Sequence, residues 1–170
     1  MIEKAAAFSY YNKDSRIRKL IHNMKYKGIE VIGYELGRIY GLSLRSSGFM
    51  NDIDIIIPVP LHPSKKRVRG FNQSEAISEG IADVAGLSVD IKSLIRKMVS
   101  ATQTKRSRYE RWTNVEGIFE VADPQLIAGK HILLVDDVIT TGSTIESCAI
   151  ELLKYEGVKV SVVALAFAVV

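Results

Sequence analysis

The sequence predicts an α/β protein, a mainly parallel twisted sheet flanked by helices, and three observations carry that reading. The strand candidates are continuous apolar runs, as in Ile55-Ile56-Ile57 and Ile132-Leu133-Leu134-Val135. Runs of this kind mark strands buried on both faces, the habit of parallel sheets. Segments with a helical repeat separate the runs, which is the alternation a doubly covered sheet needs. Finally, the run at 132–135 ends in two carboxylates and passes through a loop of hydroxyls and glycine into a new helical pattern. In open α/β sheets that strand-end position is where ligands bind.

The elements follow in order. Over residues 14–24, Ile17, Leu20, Ile21 and Met24 fall at i, i+3, i+4 and i+7, with Arg16, Arg18 and Lys19 on the other side. That spacing predicts an amphipathic helix, closed near Gly28. Ile32, Leu36 and Ile39 predict a second helix over about 29–44, although Gly33 and Gly37 weaken it. Residues 54–57 read as a buried strand stopped by Pro58 and Pro60, and a polar loop runs on to Gly70. Asn72 with Glu75 three residues later is an N-cap signature for a helix over 72–85, ended by Gly86. Residues 89–95 predict a strand, 100–114 are polar, basic and unpatterned, 117–121 predict another strand, and 124–129 a turn. After the strand at 132–135, Ser143 and Glu146 suggest a capping box for a helix ending at Gly157, and 158–168 form the last strand.

The bulk properties set bounds on these elements. A chain of 170 residues, 47% hydrophobic and 25% charged, suits one domain with a well-buried core over 1–170. A net charge of +4 and a pI near 9.1 favour anionic partners without choosing among them. The single cysteine, Cys148, excludes an internal disulfide and a Cys-rich zinc site within this chain. It reads as a buried small apolar residue. The longest apolar stretch, 158–170, spans 13 residues and includes Lys159 and Ser161, too short for a bilayer; no basic-then-apolar leader stands at the start. A cytoplasmic location with no membrane partner is the expectation. His22, His62 and His131 lack metal-ligand spacing and read as packing or loop residues.

Residues 132–144 carry the chemistry. Backbone N–H groups at a helix start attract an anion, whereas Asp136 and Asp137 would repel one. The layout therefore fits a sugar phosphate. The two carboxylates suit ribose hydroxyls and Mg²⁺, leaving Thr140, Thr141, Gly142, Ser143 and Thr144 for the phosphate. A second stretch, 57–73, packs Lys65, Lys66, Arg67 and Arg69 into a few residues after a core strand. Such a density of cations at a strand end can stabilise a leaving polyphosphate.

The run acidic-acidic-apolar-apolar-Thr-Thr-Gly-Ser-Thr after a buried strand resembles the phosphoribosyl pyrophosphate motif of type I phosphoribosyltransferases, matching it at every position. The Pro-x-Pro-Leu-His-Pro stretch and the Arg-x-Arg-Gly-Phe-Asn-Gln stretch resemble the competence protein F (ComF) family of such proteins more narrowly. Residues 20–28 with their Met-Lys-Tyr-Lys-Gly ending, 103–111 and 114–119 support the same assignment. The N-terminal zinc ribbon that members of that family often carry has no counterpart here. The resemblance implies the type I phosphoribosyltransferase fold, with 51–170 as core and 1–50 as a small helical hood over the base.

It also implies an activity: transfer of the phosphoribosyl group from phosphoribosyl pyrophosphate to a nitrogenous base, with Mg²⁺ as cofactor and release of pyrophosphate. Asp136, Asp137 and Thr140 would be the catalytic positions, with Asp136 and Asp137 also helping to place Mg²⁺. Residues 140–144 would hold the 5-phosphate. Arg67 and Arg69, with Lys105, Arg106 and Arg108 of a mobile loop, would face the pyrophosphate, and Trp112 would anchor that loop's end. A threonine at 140 cannot act as a general base near neutral pH, so the acceptor nucleobase stays open. The rival reading is a binding module without turnover that assists DNA uptake. The residues do not set the oligomeric state, and a homo-oligomer remains open.

Overall fold

The computed structural model describes residues 1–12, 15–97 and 117–168. Five strands form one sheet in the order β1-β7-β6-β2-β3, and every pairing in it is parallel. They are β1 (Ile2–Tyr11), β2 (Ile55–Pro58), β3 (Ser88–Val89), β6 (His131–Ile139) and β7 (Lys159–Ala168). A separate antiparallel pair joins β4 (Leu94–Arg96) to β5 (Phe119–Val121). The strand expected over 89–95 is therefore two short strands in different sheets. Asp90 turns the chain between them by accepting from the backbone N–H groups of Lys92 and Ser93.

Alternation along the central strands sorts the core into two layers. Ile56, Leu133, Val135, Val163 and Leu165 face α1 (Arg16–Tyr26), α2 (Glu30–Ser46) and α4 (Gln73–Ala85), meeting Ile21, Met24, Tyr40, Ile77 and Ile81. Ile57, Ile132, Leu134, Val160 and Val162 face the other way, against Phe119, Val121, Ile127 and the Ile145, Cys148 and Leu152 of α5 (Ser143–Leu152). Buried Cys148 behaves as the small apolar residue its position suggested.

The first fifty residues depart from the expected helical hood. Residues 16–26 and 30–46 are helical, but Ile2–Tyr11 is an edge strand of the main sheet, paired along β7. Gly33 and Gly37, which weaken α2 as an isolated helix, instead let it pack closely on α4. A Cβ on Gly37 would lie 2.2 Å from the carbonyl oxygen of Ile77, and one on Gly80 of α4 would lie 2.0 Å from that of Tyr34. The stretch read as a loop up to Gly70 contains α3 (Pro63–Arg69). Pro63 stands at its first turn, and His62 accepts from the Ser64 N–H at 3.2 Å. Among the described residues, no helix is long and apolar enough to cross a membrane.

Candidate functional site

The candidate site forms where β6 and β2 end and α4 and α5 begin. Register places Pro58 beside Val135 and Asp136 beside Ala164, so the two carboxylates emerge at the carboxyl edge of the sheet's middle strand. Successive strand residues face opposite ways, so the two neighbours meet different partners. Asp136 Oδ1 accepts from Ser74 Oγ at 3.1 Å and from the Asp137 N–H at 2.8 Å. Asp137 is 8% exposed and its Oδ2 lies 2.8 Å from Lys25 Nζ. Burial, and then the charge of Asp137, push the Asp136 carboxyl up to about 7.

Asn72 sets the near wall. Its side chain accepts from the Ser74 N–H at 3.2 Å and donates to the Val59 carbonyl at 3.0 Å, tying the start of α4 to the segment after β2. The N-cap expected from Asn72 and Glu75 is thus in place, and it aims Ser74 at Asp136. A cleft of roughly 370 Å³ opens here, lined by Lys25, Lys65, Arg69, Arg96, Ser74, Asp136, Asp137, Thr140 and Thr144 among others. Cations and carboxylates therefore line one cleft.

Beyond β6 the chain turns through Gly142, whose φ of 81° is open to glycine and strained for other residues. The expected capping box at Ser143 is not formed. Gly142 is the N-cap, Ser143 is the first helical residue, and no side chain caps the helix. The nearest approach is 3.5 Å, from the Ser143 N–H to Thr141 Oγ1, with the two hydroxyls 3.1 Å apart. Because the first amides of a helix have no intrahelical acceptor, this end of α5 presents donors to an anion. A small recess of about 30 Å³ lies over it, lined by Asp136 and residues 138–145. Every loop residue expected to hold the phosphate borders that recess.

The basic stretch is sorted by its helix. Lys65 and Arg69, four apart, share a face of α3 and line the cleft. Arg67 lies two residues from each, is exposed, and borders no described cleft of the site. Arg69 Nη1 donates to Gln73 Oε1 at 2.8 Å, which steadies it at the rim. Lys105, Arg106, Arg108 and Trp112 lie outside the described residues.

Lys25, Ser74 and Arg96 carried no expected role. For Lys25 a signal existed, the Met-Lys-Tyr-Lys-Gly ending of its helix, but nothing in the spacing linked it to Asp137. His131 is buried with Nε2 2.8 Å from Ser161 Oγ, and His22 stacks on Tyr26 at 4.6 Å between ring centroids. Both have structural partners, as their spacing suggested. Among the described residues no three His, Cys, Asp or Glu side chains gather as a metal cage. Two hard carboxylates remain, a set that fits Mg²⁺ carried largely by the phosphates of a ligand.

The family model described as "Phosphoribosyl transferase domain" matches residues 69–169, more than half of the chain and all of the carboxylate and phosphate-loop region. The chain belongs to that family. Within it the chain is similar to Competence protein F of Haemophilus influenzae, with 32% identity over 146 residues, 82% of this chain and 62% of that protein. It is 33% identical to DNA utilization protein YhgH of Salmonella typhimurium over 138 residues, 79% of this chain and 60% of that protein. The chain thus spans about three fifths of the length of these relatives. Among solved structures, the fold is similar to glutamine phosphoribosylpyrophosphate amidotransferase from B. subtilis, with TM-score 0.51 and 20% identity over 76% of this chain and 26% of that one. It is likewise similar to the structure described as the allosteric regulatory enzyme of purine biosynthesis, with TM-score 0.52 and 19% identity over 77% of this chain and 26% of that one. The parallel sheet flanked by helices is the type I phosphoribosyltransferase fold.

Proposed function

We propose that this chain binds phosphoribosyl pyrophosphate with Mg²⁺ in a cytoplasmic setting and transfers the phosphoribosyl group to a nitrogenous base, releasing pyrophosphate. The observation that carries the reading is the meeting of three chemistries at one sheet edge. Asp136 and Asp137 accept hydrogen bonds from ribose hydroxyls. The uncapped start of α5, with the hydroxyls of Thr141, Ser143 and Thr144, receives the 5-phosphate. Lys65, Arg69, Lys25 and Arg96 line the same cleft and are the cations offered to the remaining phosphates.

The same arrangement suits the bond that breaks. As pyrophosphate leaves C1, positive charge develops on the ribose and negative charge on the departing oxygens. The acid pair offers negative charge to the sugar, and the cations that line the same cleft offer positive charge to the leaving group. Asp136 and Asp137, together with the ligand's phosphates, would hold Mg²⁺, which would supply further charge neutralisation. Thr140 borders the cleft but offers no base, so the acceptor must present a nitrogen that is nucleophilic without it.

A second reading is favoured by the names of the relatives. That reading is a phosphoribosyl-ligand-binding module that assists DNA uptake without turnover, and the names Competence protein F and DNA utilization protein YhgH fit its link to DNA. One experiment separates the two. Pyrophosphate release is followed with phosphoribosyl pyrophosphate, Mg²⁺ and a pooled panel of nucleobases, using Asp136→Asn/Asp137→Asn as control. Base-dependent release lost in the control supports transfer. Ligand binding without release for any base supports the module.

A further inference from the structure

The Lys25–Asp137 ion pair lies within the site proposed above and occupies the acid pair itself. Lys25 stands in the last turn of α1, and its neighbours Ile21 and Met24 are 1% and 0% exposed, so its backbone is fixed by the core. Its side chain is 22% exposed and that of Asp137 11%, and the 2.8 Å contact joins a helix of the first fifty residues to the end of β6. Asp136 keeps its neutral donors, Ser74 Oγ and the Asp137 N–H, while Asp137 takes the ammonium. Lys65, Arg69 and Arg96 line the same cleft from the other elements.

We infer that Lys25 is a positioning residue that acts through Asp137 as a built-in competitor of the divalent cation. The inference rests on the sugar-phosphate reading of the site for its purpose, though not for its physics. With the ammonium in place, Asp137 is neutralised and a divalent ion entering the acid pair must displace it. A released Lys25 has somewhere to go, because it also borders a second cleft of about 550 Å³ with Tyr26, Lys65 and Arg69. The protein in this state resists loading with metal alone and admits the ion when it arrives on a phosphorylated sugar. A merely structural ion pair would make the opposite prediction, since its loss would loosen the site and weaken every ligand.

The test uses Mn²⁺ as probe, with free ion measured by electron paramagnetic resonance in the absence of sugar. Lys25→Gln binds Mn²⁺ roughly five- to tenfold more tightly than the parent chain, the scale expected for removing a partly covered opposing charge. Lys25→Arg stays at the parent affinity. Lys27→Gln, an equal change in net charge two residues away, leaves affinity within about twofold. In Lys25→Gln/Asp137→Asn the gain disappears. Affinity in Lys25→Gln at or below the parent value overturns the inference, as does an equal gain in Lys27→Gln or its survival without Asp137. Calorimetry with ribose 5-phosphate on the parent chain is the separate arm. Absence of sugar-phosphate binding there sinks the proposed function and leaves the Mn²⁺ result to decide the role of Lys25.

Discussion

Asp136→Asn measures what the candidate site costs the fold. In the folded protein burial and the neighbouring Asp137 push the Asp136 carboxyl up to about 7, against an ordinary value of 3.8. Between those two values the folded chain holds a proton that the unfolded chain has released, so this group's contribution to stability falls as pH rises. It is fully present below the unfolded value and lost above about 7. At about 1.4 kcal/mol per pH unit the gap corresponds to about 4 kcal/mol, and local relaxation brings the expected range to about 2–4 kcal/mol. Asparagine is nearly the same size, still accepts from Ser74 Oγ and the Asp137 N–H, and never ionises. Urea unfolding followed by circular dichroism should therefore find Asp136→Asn more stable than the parent by about 2–4 kcal/mol near pH 8, the gain shrinking to under about 0.5 near pH 4. A variant less stable near pH 8, or a gain independent of pH, would refute the claim that Asp136 is held against its charge.

Three further outcomes follow from single contacts. Gly37→Ala should lose about 2 kcal/mol in urea unfolding, because forcing α2 from the Ile77 backbone outweighs the roughly 1 kcal/mol that alanine adds to a helix; a stabilised variant would contradict the packing. Asn72→Ala should cost about 2–3 kcal/mol by removing the cap of α4 and leaving the Val59 carbonyl unpaired, with a matching fall in melting temperature. Thr144→Val, which removes one hydroxyl bordering the phosphate recess, should weaken ribose 5-phosphate binding roughly 10- to 100-fold, about 1.5–3 kcal/mol; unchanged affinity in calorimetry would remove Thr144 from the phosphate site.

The parts of the fold that rest on local pattern were legible in the sequence. The apolar runs at 55–57 and 132–135 are two of the three inner strands, and Asn72 with Glu75 caps α4 as its spacing implies. What escaped depends on partners distant in the chain. Residues 2–11 include Ala5, Ala6 and Ala7, poor strand formers on their own, and become β1 because β7 offers an open edge. Gly37 reads as a helix breaker until Gly80 and Ile77 stand opposite it. At the site, the recess lined by Asp136 and 138–145 was legible because the whole constellation is contiguous. Lys25 was not, since its partner lies more than a hundred residues away. The four cations of 65–69 look alike in sequence, and only the helix shows that Lys65 and Arg69 line the cleft.

Calorimetric titration of phosphoribosyl pyrophosphate in the presence of Mg²⁺ tests the central claim most directly, with the parent chain beside Asp136→Asn/Asp137→Asn. The parent should bind saturably and one-to-one, with a loss of at least roughly tenfold in the double variant, whose fold should be intact or more stable. No binding by the parent, or equal binding by both, would contradict a ribose-phosphate seat at the end of β6.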